Sequence, residues 1–106
     1  MNRGAAPSAA AMACARLLTR IPQLDDPAMR LGVVQLMNDQ LGPGAGISVP
    51  HHGHAFLHLQ AIASAALRHS RPEEALPALL TAVLALCGPN GALDELGALL
   101  HIDLEE

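Results

Sequence analysis

The chain has 106 residues, a formal net charge of −4, one phenylalanine, and neither tryptophan nor tyrosine. A chain of this length forms one domain around one hydrophobic core, and its abundant alanine and leucine residues favour helices over strands. No run of basic residues occurs, which argues against nucleic acid or an anionic membrane as a partner. The composition therefore predicts a single all-α domain.

The two cysteines indicate a reducing compartment. Cys14 and Cys87 are too few and too distant for a disulfide framework or a zinc knuckle, and each falls on the apolar stripe of a predicted helix, where a free thiol behaves as a small hydrophobe. No apolar run is long enough to span a bilayer, and the alanine-rich start lacks the leucines of a secretory signal. We expect a cytoplasmic protein with a flexible N-terminus over 1–7, one helical domain over 8–102 and an acidic tail over 103–106.

The first helix is predicted over residues 8–21, with Ser8 as its N-cap and Pro22 ending it. Its buried face carries apolar residues at the i, i+3, i+4, i+7 spacing: Cys14, Leu17, Leu18 and Ile21.

The second helix has the clearest boundaries. Asp26 is a suitable N-cap, Pro27 fits the first helical position, and Gly42 supplies the left-handed residue that follows Leu41. More than half of its circumference is apolar, so it is either central in the bundle or has a second face for a partner. The glycine-rich residues 42–46 and the extended residues 47–50 then form a loop, because a phosphate-binding loop would need a lysine and a following helix.

Three further helices follow. The third spans residues 53–69 and places Leu57 opposite its buried face, as an exposed contact. The fourth begins at Pro72 and is expected to break at Pro77, which removes a hydrogen bond. The last is capped by Asn90 and runs to about residue 101. The loops are short, so the helices form a compact bundle of five helices, or six elements if the break is counted.

A histidine cluster is the one sequence pattern that suggests a metal site. It consists of His51, His52, His54 and His58. His54 and His58 have the i, i+4 spacing of a helical zinc site, but no glutamate lies between them and no carboxylate lies between Asp39 and Glu73. We therefore interpret them as surface histidines at a helix start, with metal sensing by the cluster as a further alternative that a zinc or nickel titration would test.

No other pattern favours catalysis. Neither cysteine has a neighbouring histidine to lower its pKa, Ser48 has no nucleophile-elbow motif, and the carboxylates occur at helix starts or in the tail. The sequence predicts no enzyme activity, no metal and no cofactor.

Three stretches resemble a known family in the order that this family has them. Residues 17–30 contain Leu17-Leu18, Ile21-Pro22, Asp26-Pro27 and Arg30; residues 47–52 end in Val49-Pro50-His51-His52; and residues 76–86 repeat leucine before Gly88. Together they resemble the type-two effector-associated domain. The chain departs from that pattern on both sides of the fourth helix, at residues 70–73 and 86–89.

The resemblance implies a death-like helical adaptor. Such domains occur in bacterial conflict and signalling proteins beside peptidase, caspase-like or NTPase modules, and are thought to join polypeptides through contacts between matching domains. The expected partner is therefore a protein, either a matching domain or a second copy.

The uneven charge suggests how that contact forms. Residues 1–50 carry four arginines and three aspartates, whereas residues 51–106 carry two arginines and seven carboxylates. We hypothesise that basic residues of the first two helices meet acidic residues of a neighbouring domain, in a contact between different patches that can propagate. The residues are Arg16, Arg20 and Arg30 on one side, and Glu73, Glu74, Asp94 and Glu95 on the other. Alternatively they are solvated faces, with Arg30 paired to Asp26.

A competing interpretation is a regulatory helical subunit that binds one fixed protein through an apolar groove. The groove would use Leu57, Leu99, Met29 and Leu36. Raising the salt concentration weakens charge pairing but not an apolar groove.

Overall fold

The computed structural model describes residues 5–50 and 52–100, with side chains described from residue 9 onward. Within these ranges the protein is all-helical, as predicted. The elements are α1 (Ala5–Leu18), a 3-10 helix (Pro22–Asp25), α2 (Pro27–Leu41), α3 (Ala55–Leu67), α4 (Pro72–Cys87) and α5 (Gly91–Leu100). None of the helices in this part of the chain combines the length and hydropathy needed to cross a bilayer.

Two helix pairs build the bundle. One is α1 with α3 and the other is α2 with α4, while α5 packs against both α1 and α4. In the first pair both helices bury alanines, Ala11 and Ala15 on α1 and Ala63 and Ala66 on α3. Small side chains let helix axes approach closely. In the second pair Gly32 has the same effect, because a Cβ there would lie 3.1 Å from Cδ1 of Leu86.

The first helix is shifted relative to its prediction. It begins at Ala5 rather than Ser8, so Ser8 lies inside the helix and the predicted N-cap is wrong. The alanines around it propagate the helix, and Pro7 is tolerated because first-turn N–H groups have no partner within the helix. The helix ends at Leu18 because Pro22 forces Ile21 into extended backbone, with φ −95° and ψ 108°. Residues 5–7 of the predicted flexible N-terminus belong to α1, and the acidic tail lies outside the described residues.

The start and end of α2 are confirmed. Asp26 accepts a hydrogen bond from the Ala28 amide at 2.9 Å, and Gly42 adopts φ 87° while donating to the Asn38 carbonyl. The following segment is a loop, as predicted. Asn38 fixes it, since its side chain both accepts from the Ile47 amide at 2.7 Å and donates to the Ile47 carbonyl at 3.1 Å.

The predicted break at Pro77 is wrong, because α4 is continuous. Proline deprives the carbonyl four residues earlier of its helical partner. That carbonyl belongs to Glu73, an exposed residue in the first turn, so water can replace the missing donor. The cap of α5 is confirmed, as the Leu93 amide donates to the side chain of Asn90 at 2.9 Å. The predicted end at residue 101 lies outside the described residues.

Candidate interaction surface

One predicted contact residue lies in the core. Arg30 is fully buried, with no exposed surface. It shares a face of α2 with the buried Val33 and Met37, so the helix that positions the hydrophobic core also positions this guanidinium. The prediction that Arg30 reaches a neighbouring domain is therefore wrong.

The Arg30 side chain joins four parts of the chain through hydrogen bonds. Its Nε donates to Nδ1 of His58 on α3 at 2.8 Å. Its Nη1 donates to the carbonyls of Leu24 and Asp25 in the 3-10 helix, both at 2.9 Å, and its Nη2 donates to the carbonyl of His52 at 3.3 Å. We call these five residues the Arg30 cluster. It links the 3-10 helix, α2 and α3 to the segment that precedes α3.

The Arg30 charge is stabilised by dipoles. Neither ion pair found among residues 9–50 and 52–100 includes it, and Asp26, its predicted partner, caps α2 instead. The carbonyls of Leu24 and Asp25 lie at the end of the 3-10 helix, where the aligned peptide dipoles are negative. The planar fork of arginine suits several fixed acceptors at once. Arg30 therefore has a structural role.

The described histidines of the cluster, His52, His54 and His58, do not form a three-ligand metal site. His58 is buried in α3, so its assignment as a surface histidine is wrong, whereas His54 is exposed and lies before the helix with extended backbone. His54 is the N-cap of α3 and its carbonyl accepts a hydrogen bond from the His58 amide at 3.0 Å, but its side chain is exposed whereas that of His58 is enclosed. The rings of His52 and His58 are 6.4 Å apart, and His51 lies outside the described residues. No group of three potential metal ligands occurs in the part of the chain that the structure covers.

The predicted basic and acidic residues meet within one molecule. Arg20 Nη1 and Nη2 donate to the two carboxylate oxygens of Glu95, each at 3.1 Å. Both side chains are about half exposed. The hydrogen bonds and the charge of Glu95 raise the pKa of Arg20 above its ordinary value. Arg20 follows α1 and Glu95 lies on α5, so this ion pair joins the two helices at the surface.

The remaining predicted charges lie on two different parts of the surface. Arg16 is exposed on α1 and Asp94 is exposed on α5, the two helices that the Arg20–Glu95 ion pair joins. Glu73 and Glu74 are exposed in the first turn of α4, where Glu74 pairs with Arg71 at 3.2 Å. That turn is roughly 20 Å along α4 from the end where α5 begins.

An open cavity of about 300 Å³ lies between two turns. One wall is the Arg20–Gln23 turn after α1 and the other is the Cys87–Ala92 turn before α5. The Gln23 side chain donates to the Cys87 carbonyl across it at 3.5 Å. The cavity shows that α5 begins beside the end of α1, the helix against which it packs.

Four large apolar side chains are exposed among the described residues. They are Met12, Leu31, Leu57 and Leu99. The exposure predicted for Leu57 is thus confirmed. Met29 and Leu36 are half-buried and pack against the core, so only part of each side chain is exposed to an apolar groove. Sequence reasoning missed Met12 as a surface residue, although it lies four positions before Arg16 and so shares its face of α1.

Comparison with known proteins places most of the chain in one family. A family model described as effector-associated domain 2 matches residues 15–101. This range includes the Arg30 cluster, the Arg20–Glu95 pair and the exposed residues of α5. No curated protein matches the chain, and no solved structure matches it.

Proposed function

The chain belongs to the effector-associated domain 2 family, and from this premise we propose that it is a non-catalytic adaptor that binds a matching domain on another polypeptide. In this role it couples effector modules, such as a peptidase, a caspase-like protein or an NTPase, through death-like contacts between helical domains. The match over residues 15–101 carries this proposal. Two free cysteines support a location in the reducing cytoplasm.

The state of the two thiols supports a non-catalytic role. A nucleophilic cysteine needs a lowered pKa, supplied by a neighbouring positive charge or a helix N-terminus. Burial instead raises the pKa of Cys14, which is fully enclosed, and that of Cys87, which is half-buried. Both thiols are thereby kept protonated near neutral pH.

The surface supports charge pairing rather than an apolar groove. Arg16, Arg20, Asp94 and Glu95 are all exposed on or next to α1 and α5, which pack against each other, whereas two of the four residues of the apolar groove pack against the core. Contacts made by exposed charges are screened by salt over a Debye length that falls from about 10 Å at 0.1 M to about 3 Å at 1 M. The adaptor contact should therefore weaken with salt.

The direct experiment is a calorimetric titration of the purified chain with matching effector-associated domains encoded in the same genome. We expect saturable binding to at least one of them, weakening at least tenfold, or about 1.4 kcal/mol, between 0.1 M and 1 M salt. An unrelated helical domain of similar charge serves as the control. Absence of binding to every matching domain would refute the adaptor role, and binding that does not change with salt would favour an apolar contact.

A further inference from the structure

We propose that the segment between α2 and α3 is a strap that two uncharged histidines, His58 and His69, hold closed and that mild acid releases. The strap is described at residues 42–50 and 52–54. Its release by acid is a property of the single chain and is independent of the proposed adaptor function.

Hydrogen bonds fasten the strap to the helices at three points. The first is Ile47, which the Asn38 side chain of α2 binds through both its amide and its carbonyl. The second is the carbonyl of Ala45, which lies 2.6 Å from Nε2 of His69 in the turn between α3 and α4. The third is the carbonyl of His52, which accepts from the guanidinium of the Arg30 cluster. A histidine ring therefore takes part in two of these three fastenings, directly at Ala45 and through the Arg30 cluster at His52.

The hydrogen bonds of His69 determine where its proton lies. Its Nδ1 accepts from the Arg71 amide at 2.9 Å, while its Nε2 faces the Ala45 carbonyl. A backbone N–H always donates and a carbonyl always accepts, so Nε2 carries the proton and Nδ1 carries none. A proton added to Nδ1 would point at the Arg71 N–H, beside the positive end of the α4 dipole. A charged His69 therefore cannot keep both hydrogen bonds.

The same constraint applies to His58 in the core. Its Nδ1 accepts from Nε of Arg30 at 2.8 Å, and a guanidinium is a donor that stays charged. Nδ1 of His58 therefore carries no proton. A proton there would bring two cations into contact where both side chains are fully enclosed, and an uncompensated buried charge is strongly destabilising. Arg30 would have to move, and the carbonyl of His52 would lose its donor.

The described groups around the two rings do not offset an added charge in the core. Arg30 of α2 and His52 of the strap face His58, and the two histidine ring centres are 6.4 Å apart. Cys14 is the enclosed titratable group of α1, which packs against α3. Among the described residues, the enclosed charged or polar side chains are Arg30 and His58 themselves. The charged or titratable side chains on the surrounding elements are exposed, apart from the half-buried Cys87 of α4: Arg16, Asp25, Asp26, Asp39, His54, Arg68, Arg71, Glu73 and Glu74.

Acid shifts the strap towards its released state. Histidine is the side chain whose ordinary charge change lies between pH 5 and 8. The released strap leaves both rings able to take a second proton, whereas the closed strap does not. The released state therefore binds more protons, and its population rises as the pH falls. Ile47 and Val49 are half-buried and pack against the core, so release of the strap exposes these two apolar side chains.

Amide hydrogen exchange followed by NMR tests the strap at about pH 7.5 and about pH 5.5, between which histidines are the side chains that change charge. The protection of each amide is its exchange rate in an unstructured peptide divided by its rate in the protein, both at the same pH. The protection of the Ile47 and Arg71 amides should fall at least about fivefold at the lower pH, because the released state takes up protons. The Leu93 amide, which the Asn90 cap holds at the start of α5, should change by less than about twofold. Ring nitrogen shifts at the higher pH should place the proton of both His58 and His69 on Nε2.

His69→Asn is the informative variant, because the asparagine oxygen can accept from the Arg71 amide but gains no charge in this pH range. Its Arg71 amide should lose the response to pH. His54→Asn is the matched control: His54 is exposed, so this variant should keep the full response. His58 is tested in the natural chain through its ring shifts, because a substitution in the core can prevent folding.

Three results would overturn the proposed strap. The first is a fall in Ile47 and Arg71 protection no larger than that of Leu93. The second is a full response to pH in His69→Asn, and the third is a proton on Nδ1 of either histidine at the higher pH.

Discussion

Replacing Arg30 with methionine is expected to lower the free energy of unfolding by about 3 kcal/mol or more. Methionine fills similar space but donates no hydrogen bond, so the carbonyls of Leu24, Asp25 and His52 and the Nδ1 atom of His58 lose their donor. An acceptor left buried without a donor costs about 1–3 kcal/mol. Replacing both partners of a buried ion pair with apolar groups can leave stability unchanged. Here only the donor is removed, because three of the four acceptors are backbone carbonyls that no side-chain substitution can remove.

Urea denaturation followed by circular dichroism measures this loss, which corresponds to a fall in melting temperature of at least about 12 °C. Arg30→Lys keeps the charge but not the planar fork, and should still cost about 2 kcal/mol. Arg68→Met is the matched control: Arg68 is exposed after α3, so its replacement should change stability by no more than about 0.5 kcal/mol. A loss below about 1 kcal/mol in Arg30→Met would contradict the structural role of the cluster.

The Cys14 thiol is expected to react with a thiol reagent at least about 1,000-fold more slowly in the native protein than in denaturant, because only unfolding exposes it. Desolvation raises its pKa, so the native thiol stays protonated at pH values where the unfolded thiol, with a pKa of ~8.5, ionises. The unfolded state thus releases this proton first. The contribution of Cys14 to the free energy of unfolding is therefore fully present below the unfolded pKa of ~8.5. It is lost as the pH rises above that value and through the higher native pKa.

Labelling a Cys87→Ser variant isolates Cys14, and a Cys14→Ala variant isolates Cys87. Cys87 is half-buried and should react in the native protein, more slowly than a free thiol because its pKa is also raised by desolvation. Cys14 labelling in the native protein within about tenfold of the denatured rate would show that the α1–α3 packing is not closed.

Local signals predicted the helix boundaries that single residues determine. Asp26, Gly42 and Asn90 act through their own side chain or backbone angle within three or four residues, and such effects can be read from the sequence. The break predicted at Pro77 was wrong because the cost of the lost hydrogen bond depends on whether the Glu73 carbonyl is exposed to water. No local sequence pattern reveals that exposure. The predicted start of α1 was wrong because alanines continue a helix past a good capping residue.

The Arg30 cluster could not be assembled from the sequence, because Arg30 and His58 are 28 positions apart. The sequence nevertheless contained a signal of this buried pair. Arg30 precedes the buried Val33 and Met37 by three and seven positions, and His58 precedes the buried Ile62 by four. A polar residue at a core position of each of two helices indicates a buried hydrogen-bonded pair.

The charge difference between the halves of the chain was a poor guide to the surface. It predicted separate basic and acidic faces, but the first and last described helices are neighbours, and Arg20 and Glu95 pair across 75 positions. Which helices are adjacent depends on long-range packing, so the sequence identified the charged residues but not their arrangement.

The most direct test of the contact surface is an NMR titration of the isotope-labelled chain with an unlabelled matching effector-associated domain. At saturation, the amide signals of residues 12–20 and 94–99 should shift, while those of α2 and of the 42–50 loop should not. The Arg30 cluster should also be unaffected, since it maintains the fold rather than the contact. Shifts confined to α2 and α4, or a spectrum unchanged at saturating partner, would contradict a contact through α1 and α5.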